Sequence, residues 1–171
     1  MKRSLLLTAM LAALAVPSVA SAEHIQANLI GYEEVPAVST VASGEFNAAI
    51  SNDDKFIDYE LTFSGLQGTV QQSHIHVAQK SVNGSIVIWL CQTASFVDPT
   101  GKAPTCPQQG TVTGRITSAN VIAGSMAPQQ LTAGDLAEMI AAMRAGTAYA
   151  NVHTNLSPGG EIRGQIRASG R

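Results

Sequence analysis

Apolar and polar residues alternate along most of the chain beyond residue 22. Ile25, Ala27 and Leu29 are set against Gln26 and Asn28, and Phe46, Ala48 and Ile50 keep the same rhythm. Ile57, Tyr59, Leu61 and Phe63 likewise oppose Asp58, Glu60 and Thr62. A period of two puts every second side chain on one face, so these runs predict half-buried antiparallel strands. Turn formers separate them: Gly31, Pro36, Ser43-Gly44, Ser51-Asn52-Asp53-Asp54, Ser64-Gly65 and Gly68. The continuous run Ile86-Val87-Ile88-Trp89-Leu90-Cys91, introduced by Asn83-Gly84, predicts the most buried strand. Val112, Gly114 and Ile116 mark a weaker one, and residues 148–154 and 161–167 supply two more around a hairpin loop, Asn155-Leu156-Ser157-Pro158-Gly159-Gly160.

One segment departs from this period. Leu136, Met139, Ile140 and Met143 recur at helical spacing between residues 132 and 146. Thr132 suits the cap of such a helix, Asp135 its positive end, Arg144 its last turn and Gly146 a left-handed stop. Met139 and Met143 fall on the apolar stripe and read as core filler in preference to copper ligands. Together the elements predict an all-β protein, an antiparallel Greek-key β-sandwich or barrel with one short helix.

Composition changes this picture in three ways. Residues 1–22 carry a basic start (Lys2, Arg3), an apolar run from Leu5 to Val16 and a small-residue end, Ala20-Ser21-Ala22, which is the pattern of a signal peptide. The apolar run is shorter than a membrane span needs, so the expectation is a periplasmic or secreted protein, one domain over residues 23–171, with no stable span once the leader is removed. Without the leader, 8 Lys plus Arg stand against 12 Asp plus Glu, a net charge of −4. No basic cluster appears, so nucleic acid is not an expected partner. Cys91 and Cys106 are the only cysteines, and in an oxidising compartment an even pair closes; the expectation is a disulfide around a Thr-, Pro- and Gln-rich loop that packs poorly by itself.

The candidate chemistry lies in three histidines. His74 and His76 stand two apart in Ser73-His74-Ile75-His76-Val77 and so share a strand face, opposite Ile75 and Val77. His153 falls on the polar side of residues 148–154, with Tyr149 and Asn151, opposite Ala148, Ala150 and Val152. All three are expected to point outward, towards solvent or a covering loop. The hairpin brings Glu161 and Arg163 beside His153, where a carboxylate can orient an imidazole as a ligand and an arginine can pair with Glu161 or attract an anion. Three imidazoles suit copper or zinc with an open position. His24 is a possible fourth ligand on a terminus expected to be mobile, and Asn151 reads as a ladder-edge hydrogen-bonding residue. The sequence contains no nucleophile elbow and no phosphate-cradling loop, so catalysis would have to run through the metal.

Several segments taken together resemble a known family: Ala27-Asn28-Leu29-Ile30-Gly31-Tyr32-Glu33-Glu34-Val35-Pro36, His74-Ile75-His76, Asn83-Gly84, and Tyr149 to Thr154 followed by Pro158-Gly159-Gly160-Glu161-Ile162-Arg163-Gly164-Gln165-Ile166. In this order they are similar to the CHRD domain, named from the extracellular protein chordin and common in exported bacterial proteins. The resemblance runs from about Ile25 to Arg167 and implies an exported binding domain whose partner is a metal ion, a small ligand or an envelope or extracellular protein. A looser similarity to copper-zinc superoxide dismutase lies in the His-x-His pair, the distant histidine, the disulfide and the arginine. The further histidines and the metal-binding aspartate of that family are missing. Three readings follow: a binding domain with a His74, His76 and His153 site, a metal-free envelope interaction module contacting partners through residues 92–105, and a copper-dependent dismutase-like enzyme.

Overall fold

The computed structural model describes residues 22–169. The leader assigned to residues 1–22 therefore falls, Ala22 excepted, outside the described residues. The alternating runs form the strands they predict: β1 (Glu23–Ile30), β2 (Ser43–Ile50), β3 (Ile57–Ser64), β4 (Val70–Val77), β5 (Ser85–Cys91), β6 (Gly110–Ile116) and β7 (Ala148–Thr154). The closing run divides into β8 (Ile162–Gln165) and β9 (Arg167–Ala168) on either side of buried Ile166. All belong to one antiparallel sheet in the order β5-β4-β7-β8-β1-β2-β3-β6, with β9 paired to β1. The two ends of this order, β5 and β6, pack against each other without a ladder, so the sheet rolls into a barrel with one seam. Around that barrel β4, β5, β6 and β3 are successive neighbours, the order of a Greek key.

Inward-facing positions are the ones the alternation selects. Ile25, Leu29, Phe46, Ile50, Ile57, Leu61, Phe63, Ile75, Leu90, Val152 and Ile162 are all buried in a single core. The seam is held by other means than a ladder. Tyr59 Oη donates to Leu90 O at 2.6 Å, and Cys91 at the end of β5 is bonded to Cys106. The loop that this disulfide closes has an anchor of its own, contrary to the expectation of poor packing. Asp98 is buried, and its carboxylate accepts from the backbone N–H groups of Thr100, Lys102 and Ala103 and from Thr100 Oγ1. Replacing Cys91 and Cys106 together by alanine is expected to cost about 3 kcal/mol, because the unfolded chain regains the freedom of the open loop. Urea unfolding measures this, and an unchanged midpoint would show that the Asp98 network suffices.

The helix is α1 (Leu136–Arg144), starting four residues later than Thr132. Asp135 is the cap, its side chain accepting from Glu138 N–H; an ionised carboxylate there satisfies a free donor and opposes the positive helix end. Leu136, Met139, Ile140 and Met143 are buried against the barrel, as core residues. At the other end Arg144 pairs with Glu23 and Asp54, and Gly146 takes φ 69°.

The most uniformly buried strand is β7, not β5. Every residue from Ala148 to Thr154 is buried, although its alternation marks one side as polar. The reason is a second layer outside the barrel wall. Residues 31–36, 78–84 and 155–160 fold over the outer face of β4, β7 and β8 and enclose their polar side chains. Asn83 Nδ2 donates to Val35 O, and Arg163 donates to Val82 O and to Asn83 Oδ1, fastening two of these segments to each other and to the wall.

Candidate metal centre

The strand registers assemble the outer face under these loops. His74 of β4 lies opposite Trp89 of β5 on one side and Asn151 of β7 on the other. His76 is paired with Tyr149, Gln72 with His153, and Asn151 with Arg163 of β8. Because outward residues of neighbouring strands fall side by side, the three histidines become one cluster despite 79 positions between His74 and His153. One ring nitrogen from each of His74, His76 and His153 lies within 4.8 Å of the other two.

The histidines do face away from the core, as their alternation requires, yet solvent does not reach them. His74 is 0 % exposed, His76 6 % and His153 5 %. Burial disfavours the imidazolium form, so the pKa of His76 is pushed down to about 4, and those of His74 and His153 also fall below the ordinary value. His153 and His76 crowd the His74 ring and lower it further. All three are neutral at pH 7, the form in which imidazole binds metal.

Backbone carbonyls fix the ring orientations. His76 Nδ1 lies 3.0 Å from Gly84 O and His153 Nδ1 lies 2.9 Å from Pro158 O. A nitrogen facing a carbonyl must carry the hydrogen, so in both rings Nε2 keeps a free lone pair. His153 Nε2 then accepts from His74 Nδ1 at 3.2 Å, which leaves a lone pair on His74 Nε2. His74 Nε2 and His76 Nε2 are both buried without a hydrogen-bond partner. Buried acceptors without donors are costly, and a cation is the species that satisfies them. Three converging neutral imidazoles are a donor set able to hold a metal ion, with backbone carbonyls in the outer role that sequence had given to Glu161.

Glu161 is spent elsewhere. Its carboxylate accepts from Thr40 Oγ1, Thr154 Oγ1 and the Gln67 and Gly68 N–H groups, tying the β7–β8 hairpin to the β3–β4 connection. These bonds outweigh burial and hold its pKa below the usual carboxylate value. Arg163 is 1 % exposed, and its guanidinium lies 3.3 Å over the Tyr149 ring, which itself stacks on His76 at 4.7 Å. It pairs with the loop carbonyls and not with Glu161, so its part is to hold the cover shut. His24 is in β1, exposed and opposite Ala49, and does not join the cluster.

Two residues at this site were not selected by sequence reasoning. Asn151 was read as a ladder-edge group, but its Oδ1 lies 3.0 Å from His153 Nε2 and the side chain is 1 % exposed. The face argument that selects His153 selects Asn151 too, so a signal was present. Glu34 gave none. It lies in an irregular segment, yet it is 6 % exposed, its carboxyl comes beside the Asn151 amide over Gly160, and its pKa is pushed up to about 7 by burial, against the opposing pull of Arg163. Gly160, at φ 124°, leaves room for this pair, since a Cβ there would run into Glu34 Oε1 and lie 2.8 Å from Asn151 Nδ2.

No curated protein and no solved structure matches the chain, so the likeness to the dismutases has no support from comparison. The model of the CHRD domain matches residues 25–166, which takes in β1 from Ile25 through β8, the helix and the histidine cluster; the chain belongs to the CHRD domain family.

Proposed function

We propose that this protein is an exported CHRD-type binding domain that holds one transition-metal ion, copper or zinc, on His74, His76 and His153. The observation that carries this reading is the convergence of three neutral imidazoles, two of which, His74 and His76, keep a buried, unpartnered Nε2. The ion links the three rings, while Gly84 O and Pro158 O keep His76 and His153 aimed at it. Export through the leader at residues 1–22, into a periplasmic or extracellular space, accords with the Cys91–Cys106 disulfide and with family membership. No helix among the described residues is long and apolar enough to cross a membrane.

The sole tryptophan reports on this site directly, because the Trp89 ring lies 4.3 Å from that of His74. Titration with copper or zinc salts is expected to change Trp89 emission, saturating at one ion per chain, with calorimetry giving the same stoichiometry. A His74→Ala, His76→Ala double variant is expected to lose the response. Equal, weak binding by both proteins would dispose of the metal reading and leave an interaction module.

A further inference from the structure

We infer that Asn151 completes the metal sphere as a fourth donor through its side-chain oxygen, and that Glu34 is the positioning residue that aims it. This rests on the three-histidine reading and adds to it a ligand, a supporting carboxylate and a statement about what the site is for.

The geometry is that of a donor set with too few hydrogens. Around His153 Nε2 stand His74 Nδ1 at 3.2 Å and Asn151 Oδ1 at 3.0 Å. With the His153 hydrogen on Nδ1 at Pro158 O, its Nε2 lone pair faces the lone pairs of an amide oxygen. Two acceptors at that distance repel unless something positive lies between them. Rotating the amide would relieve the clash, but it would turn Nδ2 away from the Glu34 carboxylate and bring Oδ1 against it. Nδ2 is the end of the amide that faces the Glu34 carboxyl, the two meeting over Gly160, and this placement keeps the amide oxygen towards the histidines.

Glu34 acts as outer carboxylates do for ligating groups. A carboxyl facing Nδ2 favours electron density on the amide oxygen and fixes its direction. Its Oε1 is buried with no hydrogen-bond partner, and the missing side chain at Gly160 is what lets the carboxyl and the amide meet there. Arg163 holds the opposite flank through Tyr149 and the carbonyl of Val82, so neither side of the sphere is open.

Three nitrogens and one oxygen, all from the protein and all at least nine-tenths buried, make a closed four-coordinate sphere. Closed spheres retain an ion, whereas catalytic sites keep a position for water or substrate. The site accordingly stores or carries its ion, or is braced by it, and does not turn over a substrate on it.

Zinc-loaded wild-type protein labelled with carbon-13 and nitrogen-15 provides the first test. Zinc is expected to shift the side-chain carbonyl resonance of Asn151 and to slow exchange of its amide hydrogens, together with the changes in the three histidine rings. Cobalt(II) substitution provides the second: the wild type is expected to show the intense visible bands of a four-coordinate ion. Asn151→Leu is expected to lose those bands and about a hundredfold in zinc affinity, Glu34→Gln about tenfold, while Asn151→Asp keeps the bands. Histidine shifts with an unmoved Asn151 carbonyl would overturn the fourth donor and leave the three-histidine site standing. Zinc that moves none of these resonances would remove both. Because the resonance test uses wild-type protein, it decides the matter even if a variant fails to fold.

Discussion

Saturating the protein with its ion is expected to raise the unfolding temperature by roughly 10 °C. An ion that binds only the folded state stabilises it by about 4 kcal/mol when free metal exceeds Kd a thousandfold, and a domain of this size gains a few degrees for each kcal/mol. Part of this gain has a local origin. Without an ion, His74 Nε2 and His76 Nε2 are buried acceptors with no donor, and folding has stripped them of water for no return. The unfolded chain has no such convergence, since His74 and His153 are 79 positions apart. Thermal melts with and without copper or zinc measure the effect. His76→Ala is expected to abolish the metal-dependent rise, because two imidazoles no longer enclose an ion. A rise of the same size in that variant would place the bound metal somewhere else.

The metal-free protein is expected to lose stability on mild acidification, by at least about 1.4 kcal/mol per pH unit below pH 6.5. The sign follows from which state binds protons. In the unfolded chain histidines titrate near 6.5, whereas in the fold His76 does so at about 4 and His74 and His153 are also depressed, all three chiefly by burial. Between these values the unfolded chain takes up protons that the native state refuses, so stability falls as pH falls. Glu34 works in the opposite sense. Its native pKa of about 7 lies above the ordinary 4.5, so from pH 7 to 4.5 the native state binds a proton that the unfolded chain does not. One carboxyl offsets one histidine; that compensation ends below pH 4.5, and near pH 4 native His76 takes up its own proton and ceases to add to the loss. Urea midpoints at pH 7, 5.5 and 4.5 test this. A flat profile would mean that the rings are hydrated and the cover is open. Glu34→Gln, which removes the compensating proton, is expected to steepen the decline.

Most of the barrel was legible because its signals are local. Alternation over β1, β2 and β3 depends only on neighbours in sequence, and burying one face of each strand is enough to form the core. The helix was equally plain from four apolar positions, while its start was not. Thr132 and Asp135 are both competent caps, but Gly134 takes φ 82°, which no helix running on from Thr132 can contain, and Asp135 is left as the cap. The disulfide followed from having two cysteines and no others. The roll of β5 against β6, and Asp98 as anchor of the loop between the cysteines, left no trace in the pattern.

At the centre itself, the sequence determined that His74 and His76 share a face, that His153 lies on the polar side of its strand, and that each opposes a core-facing residue. Side-chain direction in a strand is set by backbone geometry, so nothing further was needed. Tertiary structure alone decided that these faces meet, that three loops from residues 31–36, 78–84 and 155–160 close over them, and that Glu34 comes to rest beside Asn151 while Glu161 turns to Thr40 and Thr154. Strand register and loop closure join residues more than a hundred positions apart, and the balance of desolvation against hydrogen bonding that settles each carboxylate exists only once those segments are in contact.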